Sequence, residues 1–285
     1  MGLDVQLIPI KKFQPLVLGL LLAAPFAGAQ PSHSFLKNKH FVYAGIYHQD
    51  GDLLAESRRG LAEPVEFEFD NLGIDDPYTS AMLDYHYRLS ERWQLSAAYY
   101  RFTDGASGQR LNQDISWEGQ EFTAGVALDI DWNLDTYIVD IMYNIKRTDN
   151  FELSVGGGLH AIDVEVTVAG EVGVEGAGGR QVGAGETARG SLLAPLPNLR
   201  ATGFYAFNDK WAVQGTLGWL SLGYEDYDGD FSYLHLRAQY DINDTVGVSL
   251  GYQYVDVDVT EDLRLGFRRF DMAFEGITAA VTFAF

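Results

Sequence analysis

The most regular feature of the chain is a period-2 alternation that recurs in segments of about ten residues. In the last ten, Ile277, Ala279, Val281, Phe283 and Phe285 share one face, and Gly276, Thr278, Ala280, Thr282 and Ala284 share the other. Residues 245–254 repeat it, with Val246, Val248, Leu250, Tyr252 and Tyr254 against Gly247, Ser249, Gly251 and Gln253. So do 81–89, 151–160 and 233–241. This is the signature of β-strands with one apolar face.

The N-terminal stretch departs from it. Lys11 and Lys12 precede an apolar run from Phe13 to Ala29 that ends Ala27-Gly28-Ala29. A basic start, an apolar middle and a small-x-small end read as a secretory signal peptide, residues 1–29. Residues 30–38 then read as an N-terminal periplasmic segment and 39–285 as the folded domain. An exported chain whose strands alternate is either a soluble sandwich or a membrane barrel. The polar face mixes glycines, hydroxyls and a few charges that can pair, which suits a lumen surrounded by lipid. Tyr and Trp gather toward strand ends (Trp93, Tyr99, Tyr100; Trp211, Trp219, Tyr224), as an interfacial girdle requires. The expected fold is all-β, an antiparallel transmembrane up-and-down β-barrel.

Turns set the strand count. Four short polar turns are visible, at Ser90-Glu91, Arg147 to Asn150, Asn208-Asp209-Lys210 and Ile242 to Asp244. Short periplasmic turns with both termini on the same side imply ten strands. They are expected at 39–49, 78–89, 92–103, 136–146, 151–162, 196–207, 211–224, 231–241, 245–255 and 276–285. Counts of eight or twelve stay open, because Val65, Phe67 and Phe69 and residues 127–132 also alternate. The first strand shows no clear polar face.

Composition sharpens this picture. The chain has 285 residues, 31 of them Gly, no Cys, and a formal net charge of −20. The charge argues against nucleic-acid binding, and the missing cysteines exclude disulfides and thiolate metal sites. The negative charge is not spread evenly. Segments 50–77, 104–135, 163–190, 225–230 and 256–275 carry −7, −6, −3, −4 and −3, together −23. All five lie on one side of the expected barrel, as long acidic outer loops.

The export signal, the ten-residue segments, the asymmetric loops and the C-terminal strand ending in Phe285 resemble bacterial outer-membrane β-barrel proteins of the porin-like, OmpA-type class. Tyr-Arg-Leu at 87–89 with Trp93, Tyr-Tyr-Arg-Phe at 99–102, Gly-Leu-His at 158–160, Ala-Pro-Leu-Pro at 194–197 and Glu-Asp-Tyr-Asp-Gly at 225–229 resemble a proteobacterial barrel family of uncharacterised activity. The class resemblance implies a cell outer-membrane location. It also implies contact with outer-membrane lipid and lipopolysaccharide, and recognition by the barrel-assembly machinery through the strand ending in Phe285.

Candidate chemistry is sparse. Alternation turns Asp84, His86, Arg88, Asp140, Lys146, Glu152, His160, Arg200, His235 and Arg237 toward the lumen, with Asp84, His86, Arg88, Asp140 and Arg237 read as one network. Asp84-Tyr85-His86 is the Asp-x-His spelling of omptin proteases, but it falls near a periplasmic turn, whereas the omptin site is at the outer rim. Lipid-modifying barrels pair a His with a Ser; His160 and Ser154 lie too far apart along the strand. Glu225, Asp226, Asp228 and Asp230 form an acidic tip that could hold Ca²⁺ or Mg²⁺ weakly; no other cofactor is expected. Gly183-x-Gly185-x-x-Ala188 spells a loose dinucleotide motif without its helix and reads as a flexible loop. Three readings follow: first, a narrow non-enzymatic channel for small solutes or cations, for which small inward residues leave some room while the charged ones constrict it; second, a structural or surface-interaction barrel whose acidic loops bind cations or lipopolysaccharide; and, third, a hydrolase.

Overall fold

The computed structural model describes residues 33–59, 65–68, 77–110, 115–117, 120–122, 127–176, 179–224 and 227–285. A short helix, α1 (Ser34–Lys37), precedes thirteen strands: β1 (His40–Arg59), β2 (Val65–Glu68), β3 (Tyr78–Arg88), β4 (Trp93–Arg110), β5 (Ile115–Trp117), β6 (Gln120–Phe122), β7 (Ala127–Arg147), β8 (Phe151–Gly176), β9 (Gly179–Ala206), β10 (Trp211–Tyr224), β11 (Tyr227–Asp241), β12 (Val246–Leu263) and β13 (Gly266–Ala284). Ten of them form a closed antiparallel ring, in the order β1, β3, β4, β7, β8, β9, β10, β11, β12, β13 and back to β1. Closure runs from Phe41 opposite Ala284 to Arg59 opposite Gly266. It continues through His40 and Phe285, whose amides donate to each other's carbonyls at 2.9 and 3.0 Å. A closed ring leaves no edge amide unpaired, as a lipid setting demands. β2 adds to β1, and β5 pairs with β6, outside the ring.

The four short turns lie where the sequence places them, and each uses a side-chain oxygen to accept amides of the next strand. Ser90 takes those of Arg92 and Trp93, Thr148 that of Phe151, Asn208 those of Lys210 and Trp211, and Asn243 those of Thr245 and Val246. Such local bonds fix the tight reversals.

The strands are far longer than the segments expected from alternation, because the hydrophobic set changes sides along them. On β7, Ile138, Asp140, Met142 and Asn144 are buried inside while Tyr137, Val139 and Ile141 are exposed. Further up the same strand, Leu128, Ile130, Trp132 and Leu134 are buried and Asp129 and Asp131 are exposed. The parity is unbroken; only the solvent outside has changed from lipid to water. β12 turns over between Gln253 and Val255, and β13 between Gly276 and Phe274. The molecule therefore has two storeys. The lower is wrapped by an apolar belt that includes Leu83, Leu159, Leu199, Leu217, Leu250 and Ile277. From Glu275 to Phe285, at ~3.4 Å per residue and ~45° tilt, the belt is about 24 Å tall, close to the ~25 Å band of outer-membrane barrels. The upper storey is filled by one apolar cluster, from Leu128 and Trp132 across to Val257 and Met272, and carries its acids outside.

The described residues of the glycine-rich stretch 169–190 are strand rather than loop. They lie in the β8–β9 hairpin, which pairs from Phe151 opposite Tyr205 up to Gly176 opposite Gly179. The Gly183–Ala188 motif sits in strand β9 with no helix after it, so the dinucleotide spelling has no structural basis.

Candidate functional site

The lumen of the lower storey is where the sequence places most of its candidates. They fall into three clusters rather than one network. At the bottom, Glu152 meets Arg88 at 2.6 Å and Arg147 at 3.3 Å, and it also accepts from Gln94. One level up, Asp84 bridges His86 at 3.2 Å and Arg237 at 2.8 Å. The Arg237 guanidinium lies 3.9 Å over the Tyr43 ring, and donates to His235 Nδ1 at 3.0 Å while His235 Nε2 contacts Thr278. Beside it, Asp140 is fully buried, pairs with Arg200 and accepts from Ser96. Arg88 thus belongs with Glu152, and Asp140 with Arg200; neither touches Asp84. Each buried charge has an opposite charge in contact, the arrangement that makes burial tolerable.

Two of the expected placements change. Lys146 is exposed, not luminal. A β-bulge between Asn144 and Lys146 shifts the register against β8, so Arg147 takes the inward place and Lys146 lies 6.0 Å over Phe151. At the acidic tip, Glu225 and Asp226 lie outside the described residues. Asp228 and Asp230 stand on the outer face, on either side of the buried Gly229, and no group of three acids or histidines able to hold a metal is found among the described residues.

The small inward residues do not leave a passage. A Cβ on Gly158 would fall 2.1 Å from the Val139 carbonyl and 2.3 Å from Asp140 Oδ1. On Gly156 it would meet Met142 Sδ at 2.8 Å, and on Gly251 the Thr278 hydroxyl at 2.7 Å. These glycines admit neighbouring side chains, not solute. Two lumen cavities, of about 30 and 40 Å³, meet at Tyr100, Ile138 and Tyr233. Each has room for about one or two waters; orphaned polar atoms of Arg200 and Arg237 belong to the lining of the first and that of His160 to the lining of the second.

The lower mouth is stoppered by α1, which the sequence gives only as a periplasmic segment. The signal was present in Phe35 and Leu36, two large apolar residues beside a barrel. Phe35 stacks on Phe204 at 4.4 Å and packs edge-on to Phe41 and His86. Arg88 and Arg147 donate to the Phe35 and Leu36 carbonyls at 3.1 and 2.5 Å, and Asp241 accepts from the Ser34 amide at 2.9 Å. Burial pushes the His33 pKa below its ordinary value, against the pull of Asp241. Phe35→Ala is expected to lower the unfolding free energy by about 3 kcal/mol, read as the urea midpoint in detergent micelles; a change under about 0.5 kcal/mol would mean the stopper is not seated.

These placements bear on catalysis. Asp84 and His86 do pair, yet they lie in the lower lumen, above the stopper and below the apolar storey, far from an outer rim. His160 is buried against Phe231, and Ser154 donates to Asn144 at 2.6 Å rather than to a histidine.

No family model and no curated protein matches the chain. Among solved structures it is similar to the outer membrane protease OmpT from Escherichia coli, with a TM-score of 0.56 and 11% identity over 88% of this chain and 97% of that one. The toluene transporter TodX from Pseudomonas putida aligns at 0.35 and 10% identity, covering 88% of this chain and 91% of that one. Ail, the attachment invasion locus protein of Yersinia pestis, aligns at 0.32 and 10%, covering 86% and 99%. This chain has the fold of an outer-membrane β-barrel. The likeness to OmpT is one of fold and carries no chemistry across.

Above the belt, the described exterior carries carboxylates held by hydrogen bonds and ion pairs. Tyr99 donates to Asp135 at 2.6 Å, Tyr254 to Asp256 at 2.9 Å, and Tyr252 to Glu275. These tyrosines end the belt, so each interfacial ring hands its hydroxyl to a carboxylate of the upper storey. Higher up, Asp230, Asp258 and Asp271 stand directly opposite one another across β11, β12 and β13. Arg269 bridges Asp258 at 2.6 Å and Asp271 at 3.4 Å.

Proposed function

We propose that the protein is a closed, non-enzymatic surface barrel whose acidic upper storey is its working face. That face meets lipopolysaccharide through shared divalent cations. The observation that carries this reading is the apolar packing of the upper storey above a filled, stoppered lumen. A path for ions would have to cross both, and in the upper storey it would run through the apolar cluster around Trp132, Phe231 and Val257. The exterior supports the positive half of the proposal. Its carboxylates are held at fixed spacing on paired strands, and an anionic wall beside an anionic lipid attracts cations to both. No metal cage is required; the ions are shared rather than enclosed.

Planar-bilayer recording tests the reading against the channel alternative. The purified protein is expected to give no discrete conductance steps in 1 M KCl. Regular steps with a cation-selective reversal potential in a salt gradient would replace the closed barrel with a channel.

A further inference from the structure

A cleft of about 660 Å³ opens at the periplasmic rim, between the β3–β4 turn, the β7–β8 turn and the end of α1. This is within the volume range of small-molecule sites, unlike the lumen cavities. The bulge at Asn144 and Lys146 shapes it. Arg147 turns inward there, while Tyr143 and the exposed Ile145 continue the lipid-facing belt to its lower edge. The cleft therefore has one greasy wall that lipid already touches and one wall that faces the periplasm.

Its polar lining carries both signs. Lys37, Arg92 and Arg147 supply three cations, and Glu91 and Asp149 two carboxylates. They are not equally available. Arg147 is committed to Glu152 and to the Leu36 carbonyl. Arg92 is exposed and donates to the Tyr143 hydroxyl at 3.0 Å, which holds its guanidinium at the boundary between lipid and water. Lys37 is exposed on the last turn of α1.

We propose that this cleft binds the zwitterionic phosphoester headgroup of a phospholipid from the periplasmic leaflet. The phosphate faces Arg92 and Lys37, the headgroup ammonium faces Glu91 and Asp149, and an acyl chain lies along Tyr143 and Ile145. Basic pockets at the edge of a membrane protein are lipid-headgroup sites on general grounds. The two carboxylates of the lining select a headgroup that carries its own cation over a purely anionic one. The apolar wall selects a lipid over a free phosphoester.

Native mass spectrometry of the folded full-length barrel in detergent tests this. The protein is titrated with phosphatidylethanolamine, with phosphatidylglycerol, and with soluble phosphoethanolamine. One phosphatidylethanolamine is expected to be retained, with phosphatidylglycerol weaker and soluble phosphoethanolamine not retained. The double variant Lys37→Gln/Arg92→Gln is expected to weaken retention about tenfold or more. Lys210→Gln, an exposed cation in a different periplasmic turn, is expected to leave it unchanged. Heat-modifiable gel mobility checks that every variant is a closed barrel. Equal retention by the double variant and wild type overturns the site. Soluble phosphoethanolamine binding as tightly as the lipid overturns the membrane source. Phosphatidylglycerol binding as tightly overturns the role given to Glu91 and Asp149.

Discussion

Arg237→Ala is expected to cost about 3–5 kcal/mol of unfolding free energy, among the largest effects of any single substitution in the lumen. The guanidinium is only 5% exposed and its partner Asp84 only 8%. Removing it leaves a buried carboxylate facing Tyr43, with His86 at 3.2 Å as its remaining contact. The cost comes from the stranded charge more than from the lost attraction. The double variant Asp84→Leu/Arg237→Met is therefore expected to recover much of it, since a well-packed apolar pair is often as stable as the ion pair it replaces. Urea unfolding in micelles, followed by tryptophan fluorescence, measures both. A single-variant loss below about 1 kcal/mol would mean that the lumen is wet enough to solvate Asp84. The closed-lumen argument would fall with it.

Trp132→Ala is expected to cost a similar ~3–5 kcal/mol, but to act on one storey only. Trp132 is 2% exposed at the centre of the upper cluster, among Ile130, Leu134 and Val166. Removing it loosens the packing that keeps the long hairpins upright in water. Limited proteolysis of intact micelles is expected to nick the variant above the belt while the lower barrel keeps its heat-modifiable mobility. Leu250→Ala makes the contrast. Leu250 is 62% exposed on the lipid face, where a lipid chain fills the vacated space, and about 0.5 kcal/mol or less is expected. If Trp132→Ala unfolds the whole barrel at once, the two storeys are a single cooperative unit.

Much of the ring was legible because barrel closure and lipid impose simple rules. The four short turns follow from their polar residues, the count of ten ring strands from those turns and barrel topology, and the inward parity of Asp84, His86, Glu152 and Arg237 from alternation. Where the strands end was not legible. At Tyr137 on β7 and at His160 to Asp163 on β8 the apolar residues change faces, and a pattern that reads apolar out below and apolar in above looks like a break. The same change explains why residues 127–132 alternated without belonging to the belt. The glycines of 169–190 read as flexibility because nothing local reveals that strands β8 and β9 will pair along this stretch. β1 lacked a polar face for another reason. Its inward Phe41 and Tyr43 pack on Phe35 and under Arg237, so an apolar stopper stands where water was expected. Lys146 failed through a single inserted residue, which no periodicity can register. At the candidate site, residue identities were legible but pairings were not. Parity says which way a side chain points; only the curvature of the ring decides that Asp140 meets Arg200 and Arg88 meets Glu152.

The stopper also fixes an order of events in folding. β1 and β13 are the first and last strands of the ring, so the join between them is a contact of very high sequence separation and is expected to form late. Helix α1 sits two residues before β1, on the edge expected to close late. Its grips come from distant strands: Arg88 on β3, Arg147 on β7, and Asp241 on β11. None of these converges until the ring is nearly complete. Seating the stopper and zipping the final seam are thus one step, and a barrel caught open at that seam would also be caught uncorked.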